Sequence, residues 1–114
     1  MPLESAQIEE LKKVCPTLKE HEESGTPYIY LPSLGLPTGC QPGVLDALLR
    51  PVSTDGYNSR LYFSEKVNPA GSAALNWNTS GVVILQRAWF AFSWRTPAGL
   101  RLIQMLALHL KALR

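Results

Sequence analysis

The stretch Leu75-Asn76-Trp77-Asn78-Thr79-Ser80-Gly81-Val82-Val83-Ile84-Leu85, followed by Trp89, Trp94, Pro97 and a leucine-rich close ending at Arg114, decides the fold. A polar turn around Asn76 to Gly81 feeds a short apolar strand over 82–85, and a tryptophan-rich turn then leads to a helix opened by Pro97. In that helix Leu100, Ile103, Leu106/Ala107, Leu110 and Leu113 form one apolar stripe, flanked by Leu102, Met105 and His109. Arg101, Gln104, Leu108 and Lys111 make the narrow outer face. An apolar arc this wide is expected to pack on a sheet.

Outward from there, the chain supplies the sheet. Tyr28-Ile29-Tyr30-Leu31 reads as a strand, residues 44–49 as a strand or a helical turn, and Leu61-Tyr62-Phe63 as a third strand. Residues 32–43, with Pro32, Pro37, Pro42, Gly35, Gly39 and Gly43, read as a loop, as do 51–56 and 67–80. At the N-terminal end, Ile8, Leu11, Cys15 and Leu18 share one helical face, with Glu9 and Lys13 as an i,i+4 pair outside. Pro16 removes a helical hydrogen bond, so a kink or a break near residue 15 is expected. Lys19-Glu20-His21-Glu22-Glu23 reads as a solvated helix end, closed by Ser24-Gly25-Thr26-Pro27. The sum is a single α+β domain over 1–114.

Composition narrows the function. The apolar fraction is 46% and the charged fraction 18%, ordinary for a globular chain. Net charge is +2, but residues 1–24 hold six acids against three lysines, and residues 25–114 eight basic residues against three acids. The basic residues are scattered singly, which argues against a nucleic-acid partner. Cys15 and Cys40 form no Cys-x-x-Cys pair, and Met1-Pro2-Leu3-Glu4 has no secretory character, so a reducing cytoplasmic location is expected. No apolar run has membrane-spanning length. His21 and His109 lie far apart with no thiol pair, so neither a metal nor a cofactor is expected. No phosphate-binding glycine loop or nucleophile elbow is present, and beyond residue 24 the acids are Asp46, Asp55 and Glu65 alone, which disfavours two-carboxylate hydrolysis.

Three passages then carry a resemblance. Gly56-Tyr57-Asn58-Ser59-Arg60-Leu61-Tyr62-Phe63 is similar to the Tyr-Pro-x-x-Pro-Pro-x-x-x-Phe passage into the third strand of ubiquitin-conjugating (UBC) domains, with the prolines absent. Asn76-Trp77-Asn78 stands where that family has His-Pro-Asn, and Trp94-Arg95-Thr96-Pro97 where it has Trp-Ser-Pro. The chain most resembles the short, divergent bacterial members. The resemblance implies an N-terminal helix, an antiparallel meander of three or four strands, an active-site-type loop and a C-terminal helix on the sheet. It further implies a transferase-like role in a bacterial, antiphage conjugation pathway, accepting or positioning an activated ubiquitin-like protein delivered by an activating enzyme. Asn78 would then steady the oxyanion.

The family's nucleophilic cysteine would fall at Ile84, which has no nucleophile. Three explanations stay open: a non-catalytic adaptor, a hydroxyl acceptor (Ser93 foremost, then Ser80 and Thr79), or a cysteine replaced by Ala88 or Ala91. A serine acceptor needs a nearby base. Cys40, between Gly39 and Gly43, is a further nucleophile candidate if its thiol is exposed. Trp77, Trp89 and Trp94 read either as packing or as a binding surface, and Arg87 and Arg95 either as solvated or as contacts for an acidic tail. An unrelated α+β protein-interaction domain is the remaining alternative.

Overall fold

The computed structural model describes residues 5–53, 56–69 and 75–113. Parts of the expected 51–56 and 67–80 loops lie outside the described residues. Two helices and six strands follow in the order α1 (Ser5–Lys12), β1 (Lys19–Glu23), β2 (Thr26–Gly35), β3 (Val44–Arg50), β4 (Arg60–Phe63), β5 (Thr79–Ile84), β6 (Arg87–Ala91) and α2 (Leu102–Lys111). The strands form one antiparallel sheet in the order β1-β2-β3-β4-β6-β5. The α+β class holds, but with six strands in place of the expected three or four, and not as a simple meander, because β4 pairs with β6 and β5 lies at the edge.

The first added strand is β1, expected as a helix end. Five polar residues in a row give no alternation, so its strand character comes from its partner. Ser24 (φ 52) and Gly25 (φ 80) make a two-residue turn with both central residues left-handed, which sets Glu23 opposite Thr26. The second is β6, expected as a loop around Trp89. Its turn, Leu85 (φ 53) and Gln86 (φ 64), has the same left-handed pair without glycine or asparagine, so nothing in the sequence advertises it. The Glu23 carboxylate accepts the Leu85 N–H at 3.1 Å and holds that turn.

Helix α1 stops at Lys12, ahead of Pro16, and an irregular turn carries the chain to Leu18. Ile8, Leu11, Cys15 and Leu18 are all buried as expected. The outer ion pair is Glu9 with Lys12 at 3.2 Å, in place of Glu9 with Lys13. Helix α2 starts at Leu102 rather than at Pro97, because Gly99 (φ 79) turns the chain first. Gln104 Oε1 then accepts the Arg101 N–H at 2.8 Å, Gln7 Oε1 accepts the Leu102 N–H at 3.0 Å, and Arg101 pairs with Glu10 at 2.9 Å, so α1 and α2 are tied together. The inward face of α2 is Leu102, Leu106 and His109, rotated from the expected stripe; Ala107 is exposed.

The core lies between the helices and one sheet face, where Ile29, Leu49 and Leu61 stand in register on β2, β3 and β4. Phe63 stacks on Phe92 (5.7 Å) and meets the edge of Trp77 (5.9 Å) there. The opposite face carries Tyr30, Leu48 and Tyr62 in the same ladder, covered by Trp89, Ile84 and Ala91 as the sheet curls. Asp46 anchors this second cluster, accepting from Ser33 N–H (2.9 Å), Arg87 (2.9 Å) and Tyr30 Oη (3.1 Å). The Ser33 N–H foremost, with Arg87 and Tyr30, holds its carboxyl below the ordinary 3.8. Its stabilising effect is therefore complete above about pH 4 and lost as pH falls through the lower folded value. Asp46→Asn is expected to cost about 1 kcal/mol at pH 7, the Arg87 partner being half-exposed. In chemical denaturation the gap from wild type should narrow as pH falls below the ordinary 3.8.

Candidate functional site

Antiparallel pairing brings the start of β4, the start of β5 and the end of β6 to one end of the sheet. Three segments far apart in sequence thus meet: 57–60, 76–78 and 93–96. Ser93 N–H donates to the Asn76 carbonyl at 2.7 Å, which fixes the second segment against the third. Asn58 Nδ2 donates to the Thr96 carbonyl at 2.8 Å, and Ser59 Oγ lies 2.7 Å from Thr96 Oγ1, which fixes the first against the third.

At the centre is Tyr57. Its hydroxyl lies 3.0 Å from Ser93 Oγ and accepts from Asn78 Nδ2 at 2.9 Å. Asn78 Oδ1 in turn accepts from Arg60, whose guanidinium carbon sits 4.4 Å from the Tyr57 ring centroid and 5.9 Å from that of Tyr62. The Arg95 guanidinium carbon lies 5.8 Å from the Tyr57 ring centroid. Arg50, fully buried on β3, donates to the Tyr57 carbonyl at 3.2 Å and to Tyr62 Oη at 3.4 Å. Arg60 is 6% exposed, and among the described residues its Nε has no hydrogen-bond partner and no carboxylate pairs with it. A buried cation in that state raises the local potential and favours any anion that forms or arrives nearby. The Tyr57 phenol responds: hydrogen bonds to Ser93 and then Asn78, with the charges of Arg60 and Arg95, hold it below its ordinary 10.0.

Ser93 and Asn78, chosen from the sequence, are therefore in one hydrogen-bonded cluster. Tyr57 and Arg60, which join them, stand in the sequence only as part of the 56–63 passage, with nothing there to mark them as site residues. The signal was a Tyr and an Arg three apart at the entrance of a strand, a spacing that gains meaning only from the sheet end on which it falls. His109 is also closer than its sequence distance suggests: Nε2 lies 2.9 Å from Ser59 Oγ, behind the cluster. Burial foremost, then the charges of Arg60 and Arg50, push its pKa down to about 4, so it is a neutral packing group at pH 7.

The other candidates lie elsewhere. Cys40 is buried, not an exposed loop thiol; its S–H points to the Leu113 carbonyl at 3.6 Å, beneath the far end of α2. Cys15 is buried against the Pro32 carbonyl. Trp89 is fully buried, its Nε1 donating to the Ile84 carbonyl at 2.9 Å, so it is packing and not a binding surface. Trp77 is half-buried among Phe63 and Phe92. Trp94 is exposed but tied through Nε1 to the Leu108 carbonyl at 3.1 Å. Arg87 stacks on Trp89 and pairs with Asp46 at the surface, so its charge is already met, whereas Arg95 stays at the cluster. Ile84 is buried, and Ala88 and Ala91 sit on β6, not in a loop. Ser80 and Thr79 lie on β5.

No family model matches the chain, and neither does any curated protein or solved structure. Among the described residues no three His, Cys, Asp or Glu side chains converge as a metal site, and no helix is long and apolar enough to cross a membrane.

Proposed function

We propose that this chain is a minimal UBC-like acyl acceptor, which takes the activated C-terminus of a ubiquitin-like protein onto Ser93. The reading combines the resemblance of the 56–63, 76–78 and 94–97 passages with one observation: Ser93 and Asn78 converge on the Tyr57 hydroxyl beside Arg60. Ser93 Oγ attacks the carbonyl carbon of a thioester carried by the activating enzyme, and its proton passes to the Tyr57 phenolate oxygen. The new C–O bond replaces the C–S bond, and the activating enzyme's thiolate leaves. Asn78 has a second amide hydrogen beyond the one given to Tyr57, and it supplies this donor to the tetrahedral oxyanion. Arg60 and Arg95 stabilise both the phenolate and that oxyanion.

A non-catalytic adaptor of the same fold is the second reading, favoured by the burial of both cysteine thiols away from the cluster. The two separate in one experiment. The wild-type chain is mixed with ATP, a bacterial ubiquitin-activating-like enzyme and its cognate ubiquitin-like protein, and intact mass is recorded. An adduct mapped to Ser93, stable to thiols, cleaved by hydroxylamine and absent in Ser93→Ala, is the expected result. Stable binding with no adduct would establish the adaptor.

A further inference from the structure

We infer that the groove between the end of α1 and the outer face of α2 is a docking site for an acidic amphipathic helix of a partner protein. The groove shares no residue with the Tyr57 cluster, so the inference goes beyond the acyl-acceptor reading and is tested apart from it.

The first observation is a surplus of apolar surface on α2. The sequence carries a stripe through Ile103, Leu106/Ala107 and Leu110, wide enough to be packed along its whole breadth. The fold buries a rotated set, Leu102, Leu106 and His109, which leaves Ile103 and Leu110 half-buried and Ala107 exposed. Val14, in the turn after α1, is 49% exposed and lines the same groove. The space between them is about 340 Å³.

The second is shape. Ile103, Ala107 and Leu110 stand at i, i+4 and i+7, so they form one ridge with its smallest side chain in the middle. The dent at Ala107, beside the buried Leu106, can receive a leucine knob from a facing helix. Anchors at this spacing are how an amphipathic helix seats in a groove. A lipid surface is flat and would leave the dent empty, so the concave form favours a protein ridge. α2 has ten residues, about 15 Å, which about three turns of partner helix cover.

The third is charge, which selects the occupant. α2 contains no acidic residue, and its Lys111 lines the groove. Lys13 adjoins Val14 in the chain and is exposed. The two acids of α1 are already engaged, Glu9 with Lys12 at 3.2 Å and Glu10 with Arg101 at 2.9 Å. Among the described residues Lys13 and Lys111 are in no ion pair. A helix with glutamates beside its apolar stripe is complementary to both. A second copy docked through α2 brings no acid of that helix, so like charges oppose it.

The test titrates the isotope-labelled full chain with the acetylated, amidated peptide Ser-Glu-Leu-Glu-Ala-Ala-Leu-Gln-Glu-Leu-Glu-Ala-Ala-Leu-Glu, whose leucines share one helical face. The amide resonances of Val14, Ile103, Ala107 and Leu110 should shift. Moving the leucines off that face at constant composition should weaken binding at least about tenfold, and so should replacing every glutamate by lysine. Two variants at exposed positions separate shape from charge, and both introduce residues that favour a helix. Ala107→Gln, which fills the dent, should weaken binding at least about tenfold. Lys111→Glu should weaken it about threefold or more and flatten its dependence on salt. No binding at millimolar peptide, equal binding by the lysine peptide, or indifference to Ala107→Gln would each overturn the docking site. The same resonances moving with phosphatidylglycerol vesicles and not with the peptide would overturn it in favour of a membrane. Their moving with protein concentration alone would overturn it in favour of self-association.

Discussion

Tyr57→Phe is expected to slow oxyester formation on Ser93 by about 10²- to 10⁴-fold, the usual contribution of a positioned general base. The substitution is narrow. It removes the oxygen that joins Ser93 (3.0 Å) to Asn78 (2.9 Å), and leaves the ring beneath Arg60 and the carbonyl that Arg50 holds. Folding should therefore survive, with a loss of about 1 kcal/mol from two hydrogen bonds at a partly exposed site.

The pH profile separates a base from a mere scaffold. The hydrogen bonds from Ser93 and Asn78, and the charges of Arg60 and Arg95, place the Tyr57 pKa below 10.0. Single-turnover rates, read by intact mass, should rise with pH along a limb displaced below that value in the wild type. The Tyr57→Phe variant should lack the limb. A variant as fast as the wild type, with the same limb, would show that Ser93 loses its proton to something else.

The sequence reveals this fold where apolar spacing governs it and hides it where turns and partners do. Ile8, Leu11, Cys15 and Leu18, and the strands around Ile29 and Phe63, are legible from their apolar residues, whereas 44–49 reads equally as strand or helical turn because β3 is buried on both faces and shows no alternation. β1 escapes that logic: all its side chains are polar, and only the Ser24-Gly25 turn and the neighbouring β2 make it a strand. β6 escapes because Leu85 and Gln86 adopt left-handed geometry that neither residue favours, held there by Glu23 from the far end of the sheet. Such turns depend on tertiary contacts that no local window contains.

The site is legible in the same partial way. Asn78 is marked only by the resemblance of 76–78 and Ser93 as a hydroxyl near the tryptophan-rich segment, and the fold joins them. Arg87 and Arg95 look equivalent in sequence, yet one is neutralised by Asp46 and the other faces Tyr57. The difference is which sheet end each reaches, a property of strand pairing. Arg60 is the plainest case. A basic residue in a short strand reads as solvated, and only the packed sheet shows it buried near two tyrosine rings, without a carboxylate partner among the described residues.

His109→Gln is expected to remove most of the acid sensitivity of this fold between pH 6.5 and pH 4. Burial, Arg60 and Arg50 lower the His109 pKa from 6.5 to about 4, so the folded state refuses a proton that the unfolded state accepts. For a group depressed on folding, the stabilising contribution is complete above 6.5 and declines as pH falls, reaching its full loss below about 4. A shift of that size corresponds to about 3 kcal/mol, a large share of a small domain's stability. Glutamine does not titrate and keeps a polar atom for Ser59, which the native ring holds at 2.9 Å. It should cost about 1 kcal/mol at pH 7 through lost ring packing, yet be the more stable chain at pH 4. Urea denaturation at pH 7, 5.5 and 4 tests this, and parallel curves for the two chains would rule out His109 as the acid-sensitive group.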